Sequence, residues 1–360
     1  MRFLTLLQRQ TRQPNWLVRK NKRMKTLLLK NNIDDIRYAA ELIKDGQVVG
    51  IPTETVYGLG ADASNEEAVG KVFAAKGRPA DNPLIVHLAD FSDAVKYTSR
   101  IPDLAYKLAE RFCPGPLTMV MPKNECIPMV TSGGLDTVGI RVPSHPVMHN
   151  IIKQSGCAIA APSANRSGYP SPTSAEHVMC DMDGKIAAVV DGGQSEFGVE
   201  STVISFDSEN AVRILRPGAV TQKMLLEVCD EVIIDPAILN EVEEGAKVAS
   251  PGMKYKHYSP KADIIMVESQ LDDFVSLVGD NYGDGVYTLI FDGDEAGFPY
   301  RYMTYGADSS DQAHWLFQRL RELDDMGAEK VYVRAPSTEG VGLAVYNRLI
   351  RAAGFEVIRI

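Results

Sequence analysis

The 360-residue sequence has no long hydrophobic run and only five cysteines. No apolar stretch approaches the roughly 18 residues that a membrane-spanning helix needs, so we expect no membrane-embedded segment. The cysteines are odd in number, and no two lie within ten residues of each other. That spacing excludes a zinc knuckle and argues against a disulfide framework. We therefore expect a reduced, cytoplasmic protein.

Several common catalytic motifs are also missing. The chain has no GxxxxGK[ST] phosphate loop, and its GLGADA segment lacks the third glycine and the acidic residue of a dinucleotide fingerprint. No Gx[ST]xG elbow, HExxH or Cys–His–acid pattern stands out. If the chain is an enzyme, we expect it to bind charged reactants close together, with no side chain acting as a covalent nucleophile.

Negative charge predominates, but it is unevenly spread. The formal net charge is −9, yet residues 1–23 contain seven Arg and Lys and no acidic residue, so the rest carries −16. An acidic body argues against broad nucleic-acid affinity and leaves room for a small basic site that binds an anion. The basic segment fits either an Arg-rich targeting peptide or an unstructured extension before a natural start at Met24. We expect residues 1–23 to be an unstructured extension.

The length exceeds one ordinary hydrophobic core, so we expect two domains joined by a linker. We predict a mixed α/β domain over residues 24–230, a linker over 231–261 and a second α/β domain over 262–360. In the last segment, continuous apolar strands alternate with helices at 308–327 and 340–353. That alternation is typical of a small parallel sheet with helices on its faces.

Local patterns in the first domain predict an amphipathic helix over 34–46, a strand at QVVGIP, a loop over 53–63 and a helix over 65–76. We predict further strands at 84–88, 117–121, 137–142, 157–161, 186–190, 201–206 and 212–216, and further helices at 102–112, 146–155 and 173–181.

The segment KGRPADNPLIVHL, residues 76–88, contains candidate anion ligands. Pro79 and Pro83 restrict the backbone on either side of Asn82. Lys76, Arg78 and Asn82 are then donors on a preorganised loop, and phosphate oxygens would be natural partners. The alternative is a solvated basic loop.

Two further charged or titratable residues lie in apolar strands. Arg141 in TVGIRVP needs an anionic partner if it is buried, which would be either a structural carboxylate or a ligand carboxylate. His87 poses the same question, and a lone histidine on an apolar strand is usually a satisfied core residue.

Other polar motifs are ambiguous by themselves. APSANRSGYPSPT, residues 161–173, is either a surface turn cluster or a rigid hydrogen-bonding loop that contacts a ligand. Glu200 and Ser201 in GVESTV, and Arg216 in ILRPGA, are also consistent with a helix cap, a turn and a surface charge.

Taken in order, these fragments resemble the YrdC-like family of L-threonylcarbamoyladenylate synthases. The resemblance covers residues 48 to about 219 through IPTETVYGLGADA, KGRPADNPLIVHL, PGPLTMVMP, VGIRVPSHP, APSANRSGYPSPT, DGG, GVESTV and ILRPGA. SPGMKYKHYSP followed by a small α/β domain resembles the long, two-domain form of the family. The implied fold is a YrdC-like, twisted, mainly parallel sheet with a large concave cavity, plus a small Rossmann-like α/β C-terminal domain.

The resemblance also implies a reaction. L-threonine, bicarbonate and ATP would give threonylcarbamoyl-AMP and pyrophosphate, with Mg²⁺ carried on the phosphates and no metal ligands from protein side chains. The product would pass to threonylcarbamoyl-transfer proteins that modify the adenosine next to the anticodon in tRNA. The implied threonine-binding residues are Thr55, His87, Arg141, Ala161 and Ser201. The implied ATP-binding residues are Lys76, Arg78, Asn82, Thr137, Ser163, Asn165, Ser171 and Arg216.

The linker has more aromatic and cationic groups than a passive tether needs. We predict that Lys254, His257 and Tyr258 lie across the cavity mouth as a lid; the alternative is a linker that merely packs on the first domain. Two other functions stay open from the sequence. One is a carbamoyl-transfer protein of hydrogenase maturation, although this chain lacks the zinc-finger cysteines of that group. The other is an RNA-binding module that uses a concave basic surface.

Overall fold

The computed structural model describes residues 25–240 and 258–360. Within these ranges, eleven strands form a first sheet and five strands form a second. Each sheet has helices packed against it, so the α/β fold class is confirmed. No helix among the described residues is long and apolar enough to cross a bilayer.

The first helix and the strand after it follow the sequence prediction closely, whereas two short strands beside them were not predicted. β1 (Leu27–Leu29) is followed by α1 (Ile33–Lys44), which begins where the Asn32 side chain accepts hydrogen bonds from two backbone N–H groups. β2 (Val49–Ile51) then pairs antiparallel with β3 (Gly58–Asp62). The sequence predicted a loop over 53–63, because glycine and alanine have low strand propensity. Pairing with a buried neighbour outweighs that propensity here.

The remaining elements of the first domain mix strands and helices. They are α2 (Glu66–Lys76), β4 (Ile85–His87), a 3₁₀ helix (Phe91–Lys96), α3 (Asp103–Phe112), β5 (Leu117–Pro122), β6 (Thr137–Arg141), α4 (Pro146–Ser155), β7 (Ile159–Ala160), α5 (Ala175–Met182), β8 (Ala188–Val190), β9 (Thr202–Phe206), β10 (Ala211–Arg216), α6 (Gln222–Leu225) and β11 (Glu231–Ile234).

The strand order in the first sheet is β1-β8-β2-β3-β7-β4-β6-β5-β9-β10-β11. Parallel and antiparallel pairings occur in equal number, which is more antiparallel character than the resemblance implied for this sheet. The short connections explain it, because β2 and β3 are joined by only six residues, too few for a parallel crossover.

The first domain has regular structure beyond residue 230, although the sequence predicted that a linker begins at residue 231. β11 pairs in parallel with β10, and a 3₁₀ helix (Pro236–Ile238) follows it. Val232 and Ile238 are buried in the same core as the first sheet. Residues 231–238 therefore pack with the first sheet and are not part of a free connection.

The second sheet is entirely parallel in its described part. It contains β12 (Asp263–Glu268), α7 (Leu271–Asp280), β13 (Val286–Ile290), β14 (Tyr302–Thr304), α8 (Ser309–Asp325), β15 (Lys330–Arg334), α9 (Gly342–Ala352) and β16 (Val357–Arg359). Its order is β14-β13-β15-β12-β16. α8 and α9 match the predicted helices, whereas α7 and the short edge strand β14 were not predicted.

The two sheets are joined by a shared hydrophobic core. Val56 and Val199, from loops of the first sheet, are buried in one cluster with Leu316, Phe317 and Tyr258. We call residues 258–360 the C-terminal unit. Its helices α8 and α9 pack against the loops that carry the motifs described above.

Candidate active site

One cavity collects most of the residues that the resemblance singled out. It encloses about 710 Å³ of space, including its opening to solvent. All five residues predicted to bind threonine line it: Thr55, His87, Arg141, Ala161 and Ser201. Five of the residues predicted to bind ATP line it as well: Lys76, Arg78, Ser163, Asn165 and Arg216.

Strand register brings the central pair together. β4 and β6 are parallel neighbours, and His87 stands directly opposite Arg141. On the other side of β6, Thr118 of β5 is the partner of Arg141, and its hydroxyl lies 2.8 Å from the Ser201 hydroxyl. Three adjacent strands thus deliver an imidazole, a guanidinium and hydroxyl groups to one region.

Arg141 has a carboxylate partner inside the protein. Its Nη2 donates to Oε1 of Glu54 at 2.7 Å, and both side chains are almost completely buried. Nε of Arg141 lies 3.4 Å from the carbonyl oxygen of Gly115. A guanidinium carries five N–H donors, so this pairing leaves donor capacity for a ligand at the cavity wall.

The surroundings of His87 keep its imidazole neutral. Its Nδ1 lies 3.2 Å from the carbonyl oxygen of Ile159, which can only accept, so Nδ1 carries the hydrogen of this contact. Burial, followed by the neighbouring positive charge of Arg141, lowers the pKa of His87 to about 3. An imidazole in this setting can offer hydrogen bonds but no positive charge near pH 7.

Lys76 ends α2 and points into the cavity wall. Its Nζ donates to the carbonyl oxygens of Ser163 and Asn165, the latter at 2.6 Å. Burial, followed by the neighbouring Arg78, holds the pKa of Lys76 well below its ordinary value. This lysine joins the end of α2 to the serine-rich loop, so the two predicted phosphate-binding motifs form one structure.

The loop after α2 is stabilised by Arg78. Its Nη2 lies 3.4 Å from the carbonyl oxygen of Asn82 and 3.3 Å from that of Pro83. Burial lowers the pKa of Arg78 to about 10, still far above neutral pH. Asn82 is buried beside the cavity and does not line it, and its Oδ1 has no hydrogen-bond partner among the described residues.

Arg216 links the ILRPGA motif to the segment that carries Ser201. At the end of β10 its Nε donates to the Ser201 carbonyl oxygen and its Nη2 to the Ser201 hydroxyl, each at 3.1 Å. Gly218 allows this approach, because a Cβ there would collide with the backbone of residues 200–202. The ILRPGA and GVESTV motifs therefore act together.

Ser171 lies behind the cavity wall, where it donates to a carboxylate. Its hydroxyl is 2.5 Å from Oε1 of Glu200, while Oε2 of Glu200 accepts from Nε of Arg348 at 3.0 Å. Burial raises the pKa of Glu200, but Arg348, Arg216 and the Ser171 hydroxyl more than offset this, so the net pKa is below the ordinary value. The carboxylate is therefore ionised.

Thr137 does not line the main cavity. It lines a second, smaller cavity of about 260 Å³ together with Thr118 and Gly139. Pro83 and Ile85 belong to the walls of both cavities, so the two adjoin.

Tyr258, one of the three residues predicted to form a lid, lines the main cavity. Its ring packs on Phe317, with the ring centroids 5.2 Å apart, and the next residue, Ser259, donates its backbone N–H to the carbonyl oxygen of Gly168. Lys254 and His257 lie outside the described residues.

Sequence reasoning missed three polar residues at this site. Glu54 lies within the TETVYG motif, and Glu200 in GVESTV is also consistent with a cap. Neither motif indicates which residue its glutamate pairs with. Arg348 had no signal, because nothing in α9 distinguishes it from a surface arginine. Among the described residues, no three His, Cys, Asp or Glu side chains are grouped as a metal ion would require.

The chain is similar to known proteins over most of its length. Residues 41–218 match the Sua5/YciO/YrdC family model, described as "Telomere recombination". Residues 220–354 match "Threonylcarbamoyl-AMP synthase, C-terminal domain". The chain is 44% identical to a threonylcarbamoyl-AMP synthase of Pyrococcus abyssi, with 90% of this chain and 96% of that protein covered.

The chain belongs to the threonylcarbamoyl-AMP synthase family. A second member, from Bacillus subtilis, is 42% identical over 92% of this chain and 96% of its own length. A crystal structure of P. abyssi Sua5 in complex with L-threonine superimposes with a TM-score of 0.86 at 41% identity, covering 93% of this chain and 99% of that one. The family resemblance inferred from the motifs is confirmed.

Proposed function

We propose that the protein converts L-threonine, bicarbonate and ATP into threonylcarbamoyl-AMP and pyrophosphate. The observation that carries the proposal is the cavity in which a neutral His87 and Arg141 stand beside Lys76, Arg78 and Arg216. Membership of a family whose relatives are named threonylcarbamoyl-AMP synthases supports it, as does the likeness to a structure solved with L-threonine.

The chemistry explains why cations must dominate this cavity. The threonine amine attacks the carbon of bicarbonate and water leaves, which gives a carbamate. A carbamate oxygen then attacks the α-phosphorus of ATP, and pyrophosphate leaves. Carbamate, threonine carboxylate and triphosphate are all anions, and each close pair repels by roughly 4 kcal/mol at a moderate effective dielectric. Buried guanidinium and ammonium groups offset that repulsion without having to reorganise during the reaction.

The proposal divides the cavity between two substrates. Thr55, His87, Arg141, Ala161 and Ser201 would hold threonine, with the guanidinium of Arg141 on its carboxylate. The triphosphate would lie toward Lys76, Arg78 and Arg216, with Ser163 and Asn165 beside it. The adjoining smaller cavity at Thr137 would take the rest of the nucleotide, with Asn82 and Ser171 supporting the walls.

Mg²⁺ would enter with ATP. Among the described cavity-lining residues, Glu200 is the only carboxylate, and it is already engaged by Ser171 and Arg348. A hard cation held mainly by substrate phosphates and water fits this donor set better than a protein cage. The ion would neutralise phosphate charge.

The remaining parts of the proposal follow from the reaction. The product would go to threonylcarbamoyl-transfer proteins and, through them, to tRNA in the cytoplasm. We propose a catalytic domain from residue 24, an extension over 1–23 and a C-terminal domain from 262. Tyr258, at the end of the connection between the domains, would cover part of the active site.

The decisive experiment incubates the full chain with ATP, L-threonine and bicarbonate and measures pyrophosphate. Release should require both threonine and bicarbonate. Equal release without threonine, or release of phosphate and ADP in place of pyrophosphate and AMP products, would overturn the proposal.

The RNA-binding alternative predicts different behaviour. It needs an exposed basic surface, whereas Lys76, Arg141 and Arg216 are all less than 10% exposed and face an internal cavity. A steep, salt-dependent RNA affinity without ATP turnover would favour that alternative.

A further inference from the structure

The active-site carboxylate Glu200 is held from outside its own sheet. Arg348, in the middle of α9, has no solvent exposure, and its Nε donates to Oε2 of Glu200 at 3.0 Å. Its Nη1 donates to the Pro217 carbonyl oxygen at 2.6 Å, and its Nη2 lies 3.4 Å from the Glu200 carbonyl oxygen. One arginine of the C-terminal unit thus contacts two loops of the cavity.

We propose that Arg348 is a positioning residue for the nucleotide side of the active site, acting through Glu200 on Ser171. The inference rests on the proposed function, and it gives the C-terminal unit a direct role in the reaction. Arg348 does not line the cavity, so it would not touch substrate.

Hydrogen-bond geometry supports this role. The two oxygens of Glu200 are used separately: Oε1 accepts from Ser171 at 2.5 Å, and Oε2 accepts from Arg348. A carboxylate fixed at one oxygen by a guanidinium cannot rotate freely, so the acceptor for Ser171 stays in place. Without Arg348, the Glu200 carboxylate would lose the contact that fixes it, and the position of the Ser171 hydroxyl would be less restricted.

Charge balance gives a second reason. Glu200 is an anion in a cavity that we propose to bind anions, and it faces Lys76, Arg216 and Tyr258 as well as Arg348. Arg348 neutralises this carboxylate from behind. Lys76 and Arg216 then remain available to attract triphosphate.

A second arginine reinforces the same loop. Arg321 of α8 donates to the carbonyl oxygen of Pro170, immediately before Ser171, at 2.6 Å and to Asp181 at 2.7 Å. The C-terminal unit therefore contacts the loop at the backbone through Arg321 and at the Ser171 side chain through Glu200 and Arg348.

The test compares Arg348→Met and Arg348→Lys with the matched variant Arg351→Met. Arg351 lies on the same helix, is almost fully buried and donates to the Ala237 carbonyl oxygen at 2.8 Å, whereas Arg348 donates to the Glu200 carboxylate. We expect Arg348→Met to raise the KM for ATP about tenfold to a hundredfold, the range for loss of a charged hydrogen bond. The KM for threonine should change far less, and Arg348→Lys should restore part of the loss.

A double variant separates positioning from folding. Glu200→Gln combined with Arg348→Met leaves no unpaired charge buried at this contact. If Arg348 acts through Glu200, adding Arg348→Met to Glu200→Gln should change the KM for ATP by less than about threefold, because coupled residues are non-additive. Circular dichroism confirms folding of each variant.

Three outcomes would overturn the inference: equal KM effects of Arg348→Met and Arg351→Met, an equal rise in the KM for threonine, or multiplicative effects in the double variant. Calorimetric titration with Mg·ATP distinguishes this failure from failure of the proposed function. A wild-type chain that binds ATP without releasing pyrophosphate would refute the reaction, and the affinity of the variants for ATP would still test the role of Arg348. A wild-type chain that does not bind ATP would overturn both.

Discussion

Nη2 of Arg141 lies 2.7 Å from Oε1 of Glu54, and neither side chain is more than 5% exposed. The sequence left two roles open for Arg141, a structural ion pair or a ligand site. The structure contains the ion pair and also places Arg141 on the cavity wall. Glu54 therefore orients the guanidinium of Arg141. The N–H groups of Arg141 that Glu54 does not engage are available to the proposed threonine site.

Replacing Arg141 by lysine should weaken threonine binding and leave ATP binding largely intact. Lysine is a point donor that cannot hold Glu54 and a ligand carboxylate in one plane. We expect a loss of about 1.5–3 kcal/mol in threonine binding free energy, the range for charged hydrogen bonds. Isothermal titration with threonine measures it. Arg213→Lys, which changes a pair with Asp207 on the surface, is the control and should bind threonine normally. Unchanged affinity of Arg141→Lys would make Arg141 purely structural.

Glu54→Gln should destabilise the fold as well as the site. The substitution keeps the side-chain size and leaves the buried guanidinium of Arg141 without a countercharge. Breaking one side of a buried pair typically costs about 3–5 kcal/mol in the free energy of unfolding. Urea denaturation measures this cost. The control is Asp294→Asn, which breaks a more exposed pair with Arg334 and should cost clearly less. A Glu54→Gln variant as stable as wild type would show that water or another group compensates Arg141.

The sequence allowed prediction of what depends on local signals and on the family motifs. α1 was predicted within two residues at each end, because Asn32 and the apolar periodicity define it locally. Lys76, Arg78 and Arg216 were assigned to one site through the motifs, and the structure brings all three to one cavity.

Contacts between distant segments could not be predicted. Arg348 and Glu200 are 148 residues apart, and neither segment specifies the other. β3 and β11 were missed for the same reason, since each is a strand only because a neighbouring strand supplies its hydrogen bonds. The resemblance implied that Thr137 binds ATP. The residues around it in the sequence do not show that it lines a separate, smaller cavity, which shares Pro83 and Ile85 with the main one.

Tyr258→Phe should reduce turnover more than stability. The ring packs on Phe317, and phenylalanine retains that packing. Tyr258 influences the pKa values of both Arg78 and Arg216, where it opposes the effect of burial, so its hydroxyl lies in the charged part of the site. We expect pyrophosphate release to fall about twofold to tenfold, the range for the loss of one ordinary hydrogen bond.

Tyr305→Phe is the matched control for this prediction. Tyr305 is buried in the same hydrophobic core, and its hydroxyl donates to the Arg334 carbonyl oxygen at 2.8 Å, away from the cavity-lining residues. It should lose some stability and keep full turnover. If the two variants release pyrophosphate at the same rate, the Tyr258 hydroxyl has no part in the reaction.

His87 should make the protein more sensitive to acid. Its pKa is about 3 in the folded state, lowered by burial and by Arg141, against about 6.5 in an unfolded chain. Below pH 6.5 the unfolded chain therefore binds a proton that the folded protein does not, and the free energy of unfolding falls as the pH decreases from 6.5 toward 3. At pH 5 this histidine should account for about 2 kcal/mol of that loss.

The measurement compares urea denaturation of wild type and His87→Asn from pH 7.5 to pH 5. Asparagine does not titrate, so the variant, although less stable at neutral pH, should lose about 2 kcal/mol less than wild type over this range. Parallel curves for wild type and His87→Asn would mean that His87 takes up a proton in the folded protein. The imidazole beside Arg141 would then titrate near its ordinary pKa of about 6.5, so burial and Arg141 would not be what keeps it neutral near pH 7.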